Sequence, residues 1–337
     1  MNEKAKIEVN VIGGSGFIGS SFCRRLDRQS EINFSIIDKN PCESFPQKVN
    51  IADVRDRPAI EAIMSEGAIV VNLAAEHRDD VRQESLYDEV NVVGVENICA
   101  AANKNHVKTI IFTSSVAVYG FAPVGTDETG KISPFNAYGR TKYEAELVYR
   151  TWQEEKPHDR TLVIVRPTVV FGEGNRGNVY NLLKHVASGW FVMVGNGKNK
   201  KSMAYVENVA AYLEHTLFFR PGIHVYNYVD KPDFTMNDLV ATFQQTLGKP
   251  RKILFRLPYG LGYVCGVGFD ALAAIFGRSF AVSLMRIKKF CSNSVFNAAV
   301  AQTGFVAPVP LAEALKRTVK YEFPDSRDGK DVLLESD

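Results

Sequence analysis

The sequence predicts an α/β fold in which a doubly wound parallel sheet is followed by a smaller C-terminal domain. Short apolar runs alternate with helix-length segments up to about residue 230, and this alternation is typical of a parallel sheet with helices on both faces. Glycines at positions 13, 16 and 19 directly follow the first apolar run, Ile7 to Ile12, so a strand turns tightly into a helix over Phe17 to Leu26. These two patterns together indicate the fold class.

The remaining elements follow in order along the chain. Further strands are predicted at Ala68 to Leu73, Val107 to Thr113, Leu162 to Arg166 and His224 to Val229. Helices are predicted to begin near Asn136, after the N-cap residue Thr235, and near the segment PLAEALKRTVKYEF. The pattern loosens past residue 170, which places the first domain at 1–170 with a returning segment at about 207–229. A substrate-binding domain is expected at 171–206 and 230–330.

Composition excludes several classes of protein. The chain has 337 residues, of which 45% are hydrophobic and 23% charged, and its formal net charge is +2. This charge is too small to favour nucleic acid or an anionic membrane as the main partner. Five widely spaced cysteines form no disulfide framework or metal pattern, and the N-terminus lacks the apolar core of a signal peptide. We therefore expect a cytoplasmic protein without a metal.

One apolar stretch, LPYGLGYVCGVGFDALAAIFG at 257–277, does not fit this plain picture. It carries Asp270 as its only charge and is long enough to span a bilayer. Its proline, its glycines and the carboxylate in its middle argue against a simple span. A pair of short apolar helices in the second domain, or at a subunit contact, is the favoured interpretation. A peripheral contact with a membrane surface stays open.

The glycine turn and the acidic residue that follows it predict a dinucleotide. Glycine lets phosphates approach the backbone, and the helix N-terminus offers N–H groups and a partial positive charge. The same turn could instead serve only close packing of a strand on a helix. Asp38 ends the next apolar run, nineteen residues after Gly19, where a carboxylate can accept hydrogen bonds from the adenosine ribose and repel a 2′-phosphate. NAD is therefore favoured over NADP, although a solvated strand end is the alternative for Asp38.

Tyr138 and Lys142 form the candidate catalytic pair. They are four residues apart on one predicted helix and therefore share a face. A free tyrosine has a pKa near ~10, and a neighbouring ammonium favours its phenolate, so the pair can act as a base. Such a pair also occurs by chance on exposed helices. Ser114 and Ser115 add weight because they end a predicted strand, where side chains reach the ligand crevice of doubly wound folds. Simple capping of the strand end is the alternative.

Several motifs together resemble a known family. They are GGSGFIGS at 13–20, DVRD at 53–56, NLAA at 72–75, NVVG at 91–94, TSSVAVYG at 113–120, YGRTK at 138–142 and RPTVVFGEGN at 166–175. In combination they resemble the extended short-chain dehydrogenase/reductases with a Rossmann-type fold. More narrowly, they resemble the NAD-dependent epimerase/dehydratase group that acts on nucleotide sugars. The resemblance covers most of the chain and is strongest up to about residue 175.

The resemblance implies a role for each matching position. The cofactor NAD would be bound by Gly13, Gly16, Phe17, Ile18, Gly19, Asp38, Asp53, Val54, Leu73, Ala74, Ala75, Asn91, Ser114, Tyr138, Lys142 and Pro167. Ser115, Tyr138 and Lys142 would be catalytic. Substrate would be bound by Ser115, Asn178 and Lys201, the last of which stands where relatives often place an arginine against the substrate diphosphate. A homodimer through the helices near 84–104 and 138–156 is also implied.

The implied reaction is epimerisation at C4 of a nucleotide sugar, with a UDP-sugar favoured. Tyr138 would take the proton of the sugar hydroxyl while its hydride passes to NAD⁺, and the 4-keto sugar would take the hydride back on its other face. Dehydration is disfavoured because Ser114, Ser115 and Val116 stand where dehydratases carry an Asp-Glu pair. The nearest alternative is a 4-ketoreductase that uses external NAD(P)H. A membrane-associated hydroxysteroid-type dehydrogenase and a non-catalytic NAD sensor are further alternatives.

Overall fold

A computed structural model describes residues 6–78, 83–189, 191–250, 253, 255–264, 267–268 and 284–324. The chain divides into two compact units. The first consists of Met1–Val170, Ala204–Val229 and Phe296–Val309, and the second of Phe171–Met203, Asp230–Val295 and Pro310–Asp337. The sequence does not predict the return of 296–309 to the first unit. Long-range hydrogen bonds hold it there, because the Glu128 carboxylate accepts from the backbone N–H groups of both Asn227 and Ala299.

Seven parallel strands form the sheet of the first unit, so the predicted parallel sheet is confirmed. They are β1 (Ile7–Ile12), β2 (Ile32–Asp38), β3 (Val49–Ile51), β4 (Ile69–Asn72), β5 (Thr109–Thr113), β6 (Thr161–Pro167) and β10 (Gly222–Tyr228). Their order is β10-β6-β5-β4-β1-β2-β3. The order reverses between β1 and β4, and ligands of doubly wound folds bind at the carboxyl ends of strands at such a reversal.

Helices cover both faces of this sheet. They are α1 (Phe17–Leu26), α2 (Arg57–Ile63), α3 (Ser85–Asp88), α4 (Gly94–Lys104), α5 (Ala137–Glu154) and α7 (Val206–Thr216). A π-helical segment, Glu89–Val93, joins α3 to α4, and a short 3₁₀ helix, Val116–Tyr119, follows β5. Buried residues of β5 alternate between the faces: Ile110 and Phe112 share a cluster with Tyr149, whereas Ile111 shares one with Val209. This alternation is the period of two expected of a strand covered on both sides.

The second unit contains shorter elements. They are α6 (Asn178–Ala187), β8 (Val192–Val194), β11 (Asp230–Thr235), α8 (Met236–Thr246), β12 (Phe255–Leu257), α9 (Leu284–Cys291) and α10 (Leu311–Glu322). Two further strands, β7 (Val169–Phe171) and β9 (Lys200–Tyr205), begin in one unit and end in the other. β11 pairs antiparallel with β9, and β12 pairs parallel with β8. The Thr235 hydroxyl caps α8 by accepting from the backbone N–H of Asp238 at 3.1 Å, as predicted.

The apolar stretch 257–277 is described in part. Residues 259–264 and 267–268 are helical, while Asp270 and most of the second predicted helix lie outside the described residues. None of the helices in the described ranges combines the length and the hydropathy needed to cross a bilayer.

Candidate active site

The glycine turn lies where β1, β4 and α1 meet. Gly13 has a φ of +78°, and a Cβ there would lie 2.5 Å from the backbone nitrogen of Ala74. A Cβ on Gly19 would lie 2.4 Å from the carbonyl oxygen of Gly13. Both positions therefore require glycine for close packing of the backbone.

Gly16 is different, and it favours the ligand interpretation of the turn. A Cβ on Gly16 would approach one described atom, the Gly13 carbonyl oxygen, at 3.3 Å. Gly16 is also the N-cap of α1, with extended backbone and no side-chain cap. Packing therefore restricts this position less than it restricts Gly13 and Gly19. The N–H groups at the start of α1 can donate hydrogen bonds to an anion, and the absent side chain leaves room for it to approach.

Asp38 is bound to the same turn. One carboxylate oxygen accepts from the backbone N–H of Ser15 at 3.0 Å, and the other accepts from that of Asn40 at 2.9 Å. The side chain is half-buried at the end of β2. A carboxylate held in this way keeps lone pairs for ribose hydroxyls, which fits its predicted role.

Asp53 and Val54, predicted to contact adenine, lie just after β3. Both carboxylate oxygens of Asp53 accept hydrogen bonds from the Arg55 guanidinium, at 3.0 and 2.8 Å. This pairing lowers the pKa of Asp53 from its usual value of 3.8. Val54 is buried, and its side chain closes against the backbone of Gly94. The Asp53 carboxylate is therefore paired with Arg55 within the protein, and its contact with adenine stays a prediction.

Asn91 braces the predicted site. It is buried in the π-helical segment, and its side chain exchanges two hydrogen bonds with the backbone of Glu76, at 2.8 and 3.0 Å. It also donates to the Thr141 hydroxyl, between Tyr138 and Lys142 on α5, at 3.0 Å. π-Helical insertions often occur at functional sites. Here the insertion ties the end of β4, where Leu73, Ala74 and Ala75 are partly buried, to the helix that carries the candidate catalytic pair.

Ser114 and Ser115 differ in their partners. Ser114 is buried, and its hydroxyl donates to the Glu146 carboxylate at 2.5 Å. Ser115 is partly exposed, and its hydroxyl oxygen accepts from the backbone N–H of Ala117 at 3.1 Å, which caps the 3₁₀ helix. The O–H of Ser115 is thus available to a substrate oxygen, in line with its predicted role.

Tyr138 is the second residue of α5, which begins beside the segment Ser114–Tyr119, here called the Ser115 turn. The Asn136 side chain caps this helix by accepting from the backbone N–H of Gly139 at 2.9 Å. A Cβ on Gly139 would lie 2.5 Å from the carbonyl oxygen of Ala117, so the first turn of α5 is in contact with the 3₁₀ helix that Ser115 caps. The half-buried Tyr138 is therefore held next to the segment that carries Ser115.

Lys142 lies one turn further along α5 and is buried. Its Nζ lies 4.4 Å from the centre of the Phe112 ring. Burial lowers its pKa from 10.5 to about 7, and the charge of Glu146 opposes this shift. No hydrogen-bond acceptor for Nζ is found among the described residues, which leaves its N–H groups for the hydroxyls of a ribose. The buried Pro167, predicted to touch the nicotinamide, ends β6.

Two of the three predicted substrate residues, Asn178 and Lys201, belong to the second unit. Asn178 is exposed at the first position of α6. Lys201 is largely buried, and its Nζ donates to the carbonyl oxygens of Lys289 at 2.7 Å and Ser292 at 2.8 Å. These carbonyls lie at the C-terminal end of α9, where a positive charge is favourable. Burial lowers the pKa of Lys201 to about 8. Two of its donors are therefore used within the protein.

We expect Lys201→Met to lower stability more than substrate affinity. The variant loses two hydrogen bonds from a charged donor, which should cost about 2 kcal/mol. Thermal unfolding and KM for the sugar diphosphate measure the two effects, with Lys198→Met in the neighbouring exposed loop as the control. A tenfold rise in KM without a change in Tm would instead support direct contact with the diphosphate.

Within the described residues, no group of three or more His, Cys, Asp or Glu side chains could hold a metal ion.

The family model for the NAD dependent epimerase/dehydratase family matches residues 9–226. The chain belongs to this family. The predicted family, the Rossmann-type fold and the dependence on NAD are thereby confirmed, and the glycine turn, Asp38 and Lys142 provide residues that fit the cofactor.

Individual relatives of this epimerase/dehydratase chain include known 4-epimerases. The chain is 49% identical over 318 residues to the N-acetyl-alpha-D-glucosaminyl-diphospho-ditrans,octacis-undecaprenol 4-epimerase of Escherichia coli O157:H7, with 94% of this chain and 95% of that protein covered. It is 26% identical to the UDP-glucose 4-epimerase of Vibrio cholerae, over 74% of this chain and 78% of that protein. The prediction of an NAD-dependent sugar epimerase is confirmed.

Solved structures of the family share the fold. The UDP-glucose 4-epimerase of Thermotoga maritima, solved with UDP-glucose, matches with a TM-score of 0.75 and 21% identity, covering 94% of this chain and 99% of that one. The UDP-glucose 4-epimerase of Thermus thermophilus, solved with NAD, matches with a TM-score of 0.73 and 20% identity, covering 96% and 100%.

Proposed function

We propose that this enzyme epimerises C4 of an N-acetylhexosamine carried on a polyprenyl diphosphate, interconverting the gluco and galacto forms. The observation that carries the proposal is the 49% identity, over nearly the full length of both chains, to a 4-epimerase with a lipid-linked substrate. Identity to the nucleotide-sugar enzyme of Vibrio cholerae is 26%. A UDP-sugar, which the sequence motifs favour, is the second candidate.

The proposed chemistry assigns one task to each catalytic residue. Tyr138, as its phenolate, takes the proton from the C4 hydroxyl, and the nearby ammonium of Lys142 stabilises the phenolate. Ser115 donates a hydrogen bond to the C4 oxygen, which orients it as the carbonyl forms. NAD, when bound, supplies reversible hydride transfer. Tyr138 then returns its proton to the C4 oxygen of the epimeric sugar, so no proton is lost or gained over the cycle.

Exposed side chains of the second unit favour a lipid-linked substrate. Leu261 and Val264 are 57% and 66% exposed on the helical segment 259–264. The Lys288 ammonium of α9 lies 5.9 Å from the centre of the Tyr263 ring, so basic and apolar groups are neighbours here. An apolar surface beside lysines suits the interface of an anionic membrane. We propose that this patch contacts the membrane in which a polyprenyl diphosphate resides.

We expect the protein to co-sediment with vesicles that contain phosphatidylglycerol more than with vesicles of phosphatidylcholine alone. Introducing Leu261→Glu and Val264→Glu together should reduce binding at least tenfold, because two carboxylates would enter the interface. Phe218→Glu is the matched control, since Phe218 is 64% exposed but lies in the first unit. Equal loss in the control, or none in the double variant, would contradict a contact through this patch.

A homodimer through α4 and α5 remains part of the proposal. Val93, just before α4, and Leu147 on α5 are both exposed apolar side chains in the predicted regions. Burial of such residues between subunits is favourable. Sedimentation velocity on the purified protein distinguishes a dimer from a monomer.

The substrate assignment is tested by comparing turnover of the two carriers in separate incubations. Purified protein without added cofactor is incubated with N-acetylglucosaminyl-diphospho-polyprenol in detergent, or with UDP-N-acetylglucosamine, and the sugar released by mild acid is identified. We expect N-acetylgalactosamine from the lipid-linked substrate. Conversion of the UDP-sugar alone would support the second candidate. Turnover that needs a 4-keto sugar and added NADH would identify a ketoreductase instead.

A further inference from the structure

The carboxylate of Glu146 connects three elements of the candidate site. Glu146 lies on α5, one turn beyond Lys142, and its side chain is fully buried. It accepts from the Ser114 hydroxyl at 2.5 Å and from Arg166 through Nε at 2.9 Å and Nη2 at 2.6 Å. These bonds join α5 to the end of β5 and to β6.

The network continues from Arg166 to the far end of the Ser115 turn. Arg166 Nη1 donates to the Tyr119 hydroxyl at 2.6 Å, and that hydroxyl donates to Asn227 Oδ1 at 2.9 Å. Tyr119 and Asn227 are buried. Tyr119 ends the 3₁₀ helix that Ser115 caps, and Ser114 precedes that helix. Glu146 therefore holds the segment around Ser115 from both ends.

The same carboxylate is the charge that favours the buried ammonium of Lys142, which lies four residues before it on α5. The titratable groups that face Glu146 are Arg166 from β6, Tyr119 from the 3₁₀ helix and Lys142 from α5 itself, while Glu128 acts on Tyr119 from farther away. Replacing Glu146 with a neutral residue leaves Arg166 as an uncompensated positive charge. The loss of the negative charge and the uncompensated charge of Arg166 both disfavour the charged form of Lys142.

Stability alone does not account for this arrangement. A buried ion pair is, on average, no more stabilising than well-packed apolar residues of similar volume, because both charges lose their hydration. The network joins the two segments whose relative position decides catalysis. Its carboxylate also favours the charge on Lys142, which the proposed epimerisation uses.

We infer that Glu146 is a positioning residue for the epimerase reaction: it fixes the Ser115 turn against the helix of Tyr138 and Lys142 and maintains the ammonium of Lys142. The inference rests on the proposed function for the reaction that it serves. Glu146 has no contact with the reacting sugar in this role. Its effect is exerted through Ser114, Arg166 and Lys142.

Glu146→Gln tests the inference because glutamine keeps the shape and removes the charge. Arg160→Gln is the matched control. Arg160 is also buried, and it donates to Asn103 Oδ1 at 2.6 Å and to Glu155 at 2.8 Å, at the opposite end of β6. Both variants lose part of a buried polar network between α5 and its surroundings, so their thermal stabilities can be compared. One network reaches the Ser115 turn and the other does not.

We expect Glu146→Gln to lower kcat at least tenfold, with KM and bound NAD within twofold of the wild type. Arg160→Gln should lower Tm but leave kcat at 25 °C within twofold. The ionisation of Lys142 is followed separately by NMR of lysine labelled with ¹³C at Cε, with Lys142→Met used for assignment. It should occur at lower pH in Glu146→Gln, by about half a pH unit or more, and be unchanged in Arg160→Gln.

An unshifted Lys142 titration in Glu146→Gln would overturn the inference, as would an equal loss of kcat in the two variants at comparable Tm. The NMR titration needs no turnover. If wild-type protein converts neither substrate, the proposed function has failed, while the titration still decides whether Glu146 maintains the Lys142 charge.

Discussion

Replacing Tyr138 with phenylalanine is expected to lower kcat by about 10³-fold or more while NAD remains bound. The phenol oxygen is the proposed acceptor of the C4 proton, and removing a general base typically costs 10²- to 10⁴-fold. The ring remains to fill its half-buried place at the start of α5. The other residues predicted to bind NAD, among them the glycine turn, Asp38 and Lys142, do not change.

The measurement pairs two readouts on one preparation. Epimer ratios of the released sugar give turnover, and absorbance after denaturation gives the NAD released from the protein. Tyr143→Phe is the control, because Tyr143 is a partly buried tyrosine on the same helix that packs against the cluster containing Val118. Turnover within tenfold of the wild type in Tyr138→Phe would remove Tyr138 from its role as the base.

The fold was predictable where local signals decide it. The bounds of β1 and α1 follow from an apolar run and a glycine turn, and α5 begins at its N-cap Asn136. Short strands such as β8 and β12 were not predictable, because three residues carry too little pattern. The return of 296–309 to the first unit depends on the Glu128 carboxylate far along the chain, and no local pattern indicates it.

The candidate site was likewise predictable only in part. Position in a motif indicates Ser115, Tyr138 and Lys142, and the structure holds their segments together. The partners of the side chains were not predictable. The charge of Lys201 is evident from sequence, but its two carbonyl acceptors lie 88 and 91 residues away along the chain. Glu146 was missed for this reason. Its spacing from Lys142 on one helical face was the available signal, and that spacing alone resembles an ordinary exposed pair.

Replacing Lys142 with methionine is expected to change activity and stability in opposite directions. Loss of the ammonium removes the charge expected to favour the Tyr138 phenolate and the N–H groups expected to bind the cofactor ribose, so kcat should fall at least about 10²-fold and NAD should be held more weakly. The NAD-free protein should gain about 2 to 4 kcal/mol of unfolding free energy at pH 6, because a buried charge no longer loses its hydration on folding.

The stability gain should depend on pH in a defined direction. Burial lowers the pKa of Lys142 from 10.5 to about 7. Below pH 7 the lysine is charged in both states and carries the full cost of burial, whereas above about pH 10.5 it is neutral in both and carries none. The difference between variant and wild type should therefore be largest at pH 6 and shrink as the pH rises towards 10. Lys201 and other groups titrate in both proteins and cancel in the difference.

Denaturant unfolding of NAD-free wild type and Lys142→Met at pH 6 and pH 9 measures this difference. A variant less stable than the wild type at pH 6 would mean that the protein compensates the buried ammonium with contacts as good as water. The expected result instead makes Lys142 a residue retained at a cost in stability, which is reasonable when the cofactor and the reacting phenolate supply the missing partners during turnover.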